Sequence, residues 1–461
     1  MSIDTSTAHT GAGLEKPYLS GHFAPVADET TATGLTVRGT LPPELNGRYF
    51  RNGHNPKPGD VPTHWFKGSG MIHGLRLREG RAEWYRNRWV RTPALDGAPY
   101  IREDGTPDLT ASIAGTHIIE HAGRILALQE ANLPWQMTPE LDTVAPYDFG
   151  GRLRTAMTAH PKEDPVTGEL HFFGYSPFPP FLTYYVADAA GRVVRSVEVE
   201  GAGPSLMHDF ALTTDHVVWL DLPVVFDHAE QSGIPYRWSD IYTPRMGVMP
   251  RTGPATVTWF DVEPGALLHV ANAHQDDAGR IVIDGPRYDR TAWESSWKWF
   301  VGAPGYGPSP AIGSVGHRWT LDPRSGKATE EPRDGLVTEF PTVNDAYLGR
   351  ENRYSYALAF PGAGLDGYAV VKYDNATGER RMAPMGERRM PGESVFVPAD
   401  GGTAEDDGYL LTIVSDLARD TSELLVLDAT DIRREPVAVV ELPRRVPAGI
   451  HGSWIPDAER E

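Results

Sequence analysis

What most constrains this chain is the spacing of its apolar segments. Short runs that alternate apolar and polar residues, or stay apolar throughout, recur at intervals of roughly 8–12 residues and close on turn residues. Residues 71–92 (MIHGLRLREGRAEWYRNRWVRT), 117–130, 216–226, 279–288, 368–382, 408–416 and 422–429 all have this texture. Residues 183–200 read as a hairpin about Ala190-Gly191. The 48 glycines and 40 prolines interrupt the chain too often for long helices. Such a pattern fits an all-β sandwich, barrel or propeller. No signature repeats at a period of about 33–45 residues, which argues against a WD40-type array. The strand texture runs on without a break in composition. A mobile, polar segment over 1–16 followed by one large closed β domain over 17–461 is therefore expected. Seven units would hold about 66 residues each, against the roughly 40–45 that a lean four-stranded blade needs. The excess is expected in long loops, for which the Pro/Gly-rich stretches 227–254 and 286–314 are candidates.

Charge and cysteine content narrow the chemistry. Lys and Arg number 43 against 62 Asp and Glu, a net charge of −19, which disfavours nucleic acid or an anionic lipid surface as the main partner. There are no cysteines, so disulfides, thiolate nucleophiles and cysteine-held metal sites are excluded. Imidazole and carboxylate remain as strong ligands for a transition metal. Neither a secretory leader nor a run of 18 apolar residues is visible, so a soluble, cytoplasmic protein is expected. The Gly-rich stretch 302–313 lacks the Lys-Ser/Thr of a phosphate loop.

Four of the 16 histidines stand apart by context. His160 closes an apparent strand before a turn holding Pro161, Pro165 and Gly168. His208, between SLM and DFAL, is expected within an apolar strand, His269 follows ALL, and His451 follows AGI. His171, His216, His274 and His317 adjoin charged or turn residues and read as surface groups. A lone histidine in a strand-rich protein is ordinarily a hydrogen-bonded core or surface residue. Four in apolar settings suit a first-row metal such as iron, copper or zinc, with carboxylates one shell out to hold the second ring nitrogen. Glu130 (LALQEANLPW), Glu339 (LVTEFPTVN) and Glu393 (MPGESVFVP) fit that part, since a glutamate in an apolar run is seldom buried unless paired.

The motifs GRYFRNGHNP, HWFKGSGMIHG, YRNRWVRT, AHPKEDPVTGEL, MHDFALT, ENRYSYA, EDDGYLLTIV, SELLVLDA and the late HGSW occur in an order that resembles the carotenoid cleavage oxygenases over about residues 17–456. The resemblance implies a seven-bladed β-propeller with long loops capping an axial metal site. It implies iron, as Fe(2+), on His160, His208, His269 and His451. Glu130, Glu339 and Glu393 would serve the last three in that order, leaving His160 without a carboxylate. Thr116, 14 positions before Glu130, would crowd one open iron position. The implied reaction adds dioxygen across one double bond of an apolar polyene and yields two carbonyl products. Stilbene-cleaving relatives carry a lysine where this chain has Gln129, a departure that favours a carotenoid or apocarotenoid over a phenolic stilbene. Phe66 is expected to face the alkene, with Phe178, Phe181 and Tyr184 lining a tunnel or its mouth. Peripheral, apolar contact with a membrane would deliver the polyene. Stilbene cleavage, polyene isomerisation on the same iron, and a non-catalytic propeller scaffold stand as alternatives. Two carbonyl fragments distinguish an oxygenase from an isomerase, which leaves the carbon skeleton intact.

Overall fold

A computed structural model of the chain describes residues 16–230, 233–361 and 364–457. Of the expected mobile segment 1–16, only Lys16 lies among them; its ammonium donates to the carbonyl oxygen of Val301 at 2.9 Å. The alternating segments pair as antiparallel strands, and burial follows composition. Val193–Glu198 (VVRSVE) alternates half-buried and exposed residues, as a strand with one wet face must. Its neighbour Leu182–Ala187 (LTYYVA) is buried along its whole length, because apolar layers meet both faces. The hairpin joining them turns through Ala190 and Gly191, the glycine at φ +74°.

Three sheets of four strands follow chain order: His117–His121 to Thr143–Pro146, Lys162–Glu163 to Val193–Glu198, and Ala211–Leu212 to Thr258–Asp261. An eight-stranded sheet then runs from Ala266–Leu267 to Arg380–Pro384. Within it Lys327–Thr342 pairs first with Val315–Asp322 and then, by its second half, with Tyr354–Ala359. Two more sheets join distant parts of the chain. Gly47–His54 pairs with Gly452–Pro456, Tyr49 opposite Trp454, and Val37–Gly39 pairs with Ala438–Glu441.

Apolar layers glue each sheet to the next. Phe50 and Ile72 pack on Ile118 and Ala127, Leu126 and Leu128 on Phe172 and Tyr185, and Phe173 and Tyr184 on Phe210 and Trp219. Leu75 and Tyr85 meet Ile413 and Val440 of the sheet that contains the late strands. Each such side chain contributes roughly 1.5–3 kcal/mol when fully buried.

The two expected loops contain regular structure. Residues 227–254 hold the strands Tyr236–Trp238 and Arg245–Pro250, and 286–314 hold the α-helix Arg290–Phe300. Asp289 caps that helix by accepting from the Ala292 N–H at 2.8 Å. Trp293, Trp297 and Phe300 recur at helical spacing; the first two rings stack 5.2 Å apart. Flanking glycines and prolines hide this helix from any reading by composition. Among the described residues no helix is long and apolar enough to cross a membrane.

Candidate metal centre and its cavity

None of the four histidines lies in a strand, contrary to the expectation for His160 and His208. His160 precedes Lys162–Glu163, His208 precedes Ala211–Leu212, His269 follows Ala266–Leu267, and His451 abuts Gly452–Pro456. A side chain inside a ladder is fixed perpendicular to its sheet. Just off the ladder's end, the backbone is free to aim the ring elsewhere. His160 Nε2 lies 3.0 Å from His208 Nε2. One nitrogen each of His160, His269 and His451 fall within 4.8 Å of one another. The rings stand 4.5–5.2 Å apart by centroid and are steeply inclined. The Nε2 atoms of His269 and His451 are buried without a hydrogen-bond partner.

Carboxylates hold the opposite nitrogens. His208 Nδ1 donates to Glu130 Oε2 at 2.6 Å, His269 Nδ1 to Glu339 Oε2 at 2.6 Å, and His451 Nδ1 to Glu393 Oε1 at 2.9 Å. Among the described residues no carboxylate bonds to His160. The carboxylates are themselves anchored. Tyr175 donates to Glu130 Oε1 at 3.1 Å and Tyr288 to Glu339 Oε1 at 2.8 Å. The Gly452 N–H donates to Glu393 Oε2 at 2.9 Å. An ionised carboxylate only accepts, so Nδ1 carries the proton and the lone pair falls on Nε2.

Burial, and then the neighbouring imidazoles, push His160 and His451 well below the usual histidine range. Both are therefore neutral, the form a metal requires. Burial also opposes charge on His269, but the carboxylates around it, Glu339 foremost with Asp209 and Glu393, together outweigh it and raise that group. Buried nitrogen lone pairs, aimed inward and without a protein partner, fit a divalent first-row metal.

Glu339 owes its place to a flaw in its strand. The pairing slips between Glu339 and Thr342, and Phe340 takes a φ of +53°. Consecutive residues of a regular strand face opposite ways; here both Glu339 and Phe340 reach one cavity. The Phe340 ring lies over His269 at 5.3 Å.

That cavity begins at the histidines. Away from them its wall is mostly aromatic, with Phe23, Trp65, Phe66, Phe300 and Phe360. Thr116 and Gln129 also reach it, and the Thr116 hydroxyl donates to Gln129 Oε1 at 3.0 Å. Phe178 and Phe181 do not line this wall. The loop before Leu182–Ala187 carries Phe178 outward, 65% exposed against Phe226, and leaves Phe181 half-buried. Tyr184 alternates into the sheet interface, where its hydroxyl meets His171 Nδ1 at 2.6 Å.

The other histidines differ from expectation as well. His171 is 1% exposed, between Tyr184 and Arg251, and His317 is buried beside Glu330. His216 and His274 are half-buried. Strand alternation turned these rings inward despite their polar sequence neighbours. A fifth ring, His117, lies 5.1 Å from His451, but both its nitrogens are engaged, by Ala159 O and Ser453 Oγ. Tyr175, Tyr288 and His117 carry no sequence signal that separates them from ordinary strand residues.

Three comparisons bear on this arrangement. A family model described as retinal pigment epithelial membrane protein matches residues 23–456. The chain is 38% identical to a carotenoid cleavage oxygenase of Mycobacterium tuberculosis, spanning 98% of this chain and 99% of that protein. Among solved structures, lignostilbene dioxygenase of Pseudomonas brassicacearum superposes with a TM-score of 0.84 at 28% identity, over 96% of this chain and 99% of that one. The cobalt-substituted apocarotenoid oxygenase of Synechocystis does so with a TM-score of 0.81 at 25% identity, over 94% and 97%.

Proposed function

The chain belongs to the carotenoid cleavage oxygenase family, and from that premise we propose that it is an iron(II) dioxygenase cleaving one carbon–carbon double bond of a carotenoid or apocarotenoid into two carbonyl products. The observation that carries this reading is the set of inward-facing imidazole nitrogens at the foot of an aromatic cavity. His160, His208, His269 and His451 would hold the iron, which when bound supplies the means of engaging dioxygen. One alkene and one dioxygen give two carbonyls, so no acid or base is consumed and none need be provided. Glu130, Glu339 and Glu393 fix ring orientation and keep the donor nitrogens basic. Thr116 limits space beside the histidines. Phe66 and its aromatic neighbours exclude water and hold a flat, apolar chain.

Gln129 supports the polyene over the phenolic alkene. A neutral amide offers a hydrogen bond but no positive charge for a phenolate, and it costs less to desolvate beside hydrocarbon. The likeness to lignostilbene dioxygenase keeps stilbene cleavage as the second reading. We extend the proposal to the frame: the eight-stranded sheet, divided at Lys327–Thr342, makes the larger sheets seven blades of one propeller domain over 17–461. The pairings of Gly47–His54 with Gly452–Pro456 and of Val37–Gly39 with Ala438–Glu441 support its closure. A polyene must be drawn from a membrane, and exposed apolar side chains such as Phe178 and Ile241 suit peripheral contact.

Aerobic incubation with carotenoids, apocarotenals and hydroxystilbenes, read by mass spectrometry, tests the reaction. Two carbonyl fragments from a polyene are expected. An intact, rearranged skeleton would identify an isomerase instead, and turnover of none of them would end the enzymatic reading.

A further inference from the structure

Outside the metal-binding set, one ring on the wall of the aromatic cavity keeps a nitrogen to spare. His54 ends the strand Gly47–His54 and is 3% exposed. Its ring stands 5.9 Å from Trp65 and 5.7 Å from Phe66, which form that wall with it. It is not one of the grouped histidines whose nitrogens could share a metal. The ring has room only because two neighbours lack side chains. A Cβ on Gly115 would lie 2.6 Å from its Nδ1, and one on Gly68 3.1 Å from its Cβ.

Hydrogen bonding decides which nitrogen is free. Nδ1 lies 3.0 Å from the Gly68 carbonyl oxygen. A carbonyl only accepts, so Nδ1 carries the proton and Nε2 the lone pair. Burial holds this ring down to about 4, so it is neutral at ordinary pH. Among the described residues no donor is bonded to Nε2. The equally unpartnered Nε2 atoms of His22 and His64 are sealed inside the protein, and that of His54 is not. The hydroxyls on the cavity wall are already spent, Thr116 on Gln129 and Tyr288 on Glu339. An acceptor set among aromatic rings costs free energy until a donor meets it. The occupant of the cavity must bring that donor.

We propose that His54 selects a polyene bearing a hydroxyl group, whose O–H donates to Nε2. The inference rests on the reading of this cavity as a polyene site and narrows the substrate to an alcohol, a ring-hydroxylated carotenoid or apocarotenoid. Aldehyde and ether oxygens and ionised carboxylates only accept, so each would face the Nε2 lone pair with no bond to make. A bare hydrocarbon end leaves the nitrogen unpaired. With Trp65 and Phe66 holding the hydrocarbon, the one polar contact sets which end of the chain enters this part of the cavity. His54 thus touches the substrate and takes no part in the oxygen chemistry.

Three all-trans apocarotenals of one chain length provide the test: one with a ring hydroxyl, its O-methyl ether, and the deoxy compound. Trp65 on the wall makes quenching of tryptophan fluorescence a measure of binding that needs no turnover. The wild type should bind the alcohol about fivefold more tightly than the ether, the worth of one neutral hydrogen bond. In His54→Leu that ratio should vanish, and the alcohol should bind more weakly than the deoxy compound. His54→Gln, with an amide oxygen at similar reach, should restore part of the ratio. Equal affinity of the wild type for alcohol and ether overturns the proposal, as does an undiminished ratio in His54→Leu. Should the leucine variant fail to fold, the wild-type series decides alone. Mass spectrometry of the same mixtures separates this failure from that of the reaction. Equal binding with two carbonyl products overturns the role of His54 alone, and an alcohol preference without cleavage overturns the dioxygenase reading alone. Binding of none of the three overturns both.

Discussion

His208, His269 and His451 each have one nitrogen committed to a carboxylate and the other turned toward the shared centre. Purified protein is therefore expected to carry about one iron per chain on four nitrogen ligands. His208→Ala or His451→Ala should lose most of it by elemental analysis, and full retention in either variant would remove the assignment. Glu130→Gln, Glu339→Gln and Glu393→Gln should each weaken iron retention or turnover by roughly 10–100-fold. Glu339 should be the most sensitive, because it answers to His269, Tyr288 and the Phe340 N–H together; no loss in any of the three would mean the carboxylates do not hold the rings. Gln129→Lys should move the kcat/KM ratio toward 4-hydroxystilbenes by about tenfold, the difference between a neutral and a charge-assisted hydrogen bond. A wild type that already prefers the stilbene would show that the phenol is held elsewhere. Residue type and motif order pointed to these histidines and glutamates, and the structure brings them together. Tyr175 and Tyr288 were not legible, because a tyrosine in an apolar strand looks like core wherever its hydroxyl points.

Strands were the most legible elements, since period-two alternation is written locally and burial repeats it, as Val193–Glu198 shows. The helix Arg290–Phe300 was not, because Gly and Pro on either side swamped its one clear signal, an aspartate ahead of a Trp-x-x-x-Trp-x-x-Phe stripe. That aspartate yields a test. Asp289→Ala should cost about 1 kcal/mol in denaturant unfolding, as loss of a cap does, and a variant unchanged within 0.3 of that figure's unit, roughly the scatter of such measurements, would show the cap to be idle. The same limit explains why the histidines were misplaced onto strands. A sequence shows where alternation starts, but not that the chain must leave its ladder for an imidazole to point inward. The slip between Glu339 and Thr342 is another such departure, visible only once the pairing is known.

At the scale of the molecule, the pairing of Gly47–His54 with Gly452–Pro456 was beyond any local reading, because some four hundred residues separate the partners. Removing residues 452–461 should unpair that strand, free Glu393 from the Gly452 N–H, and leave His451 on a loose end. The shortened chain should melt less cooperatively and retain little iron; a sharp melt with full iron would show the last strand to be dispensable. The position of His451 beside this strand also sets an order in time. A ribosome adds roughly 5–20 residues per second, so His160 emerges on the order of tens of seconds before His451. Until then the nascent chain offers at most three of the four imidazoles, and the sheet that seats the fourth lacks its edge. On the proposed iron site, a chain whose synthesis is cut short would never complete the centre, and oxygen chemistry would be withheld from every unfinished copy.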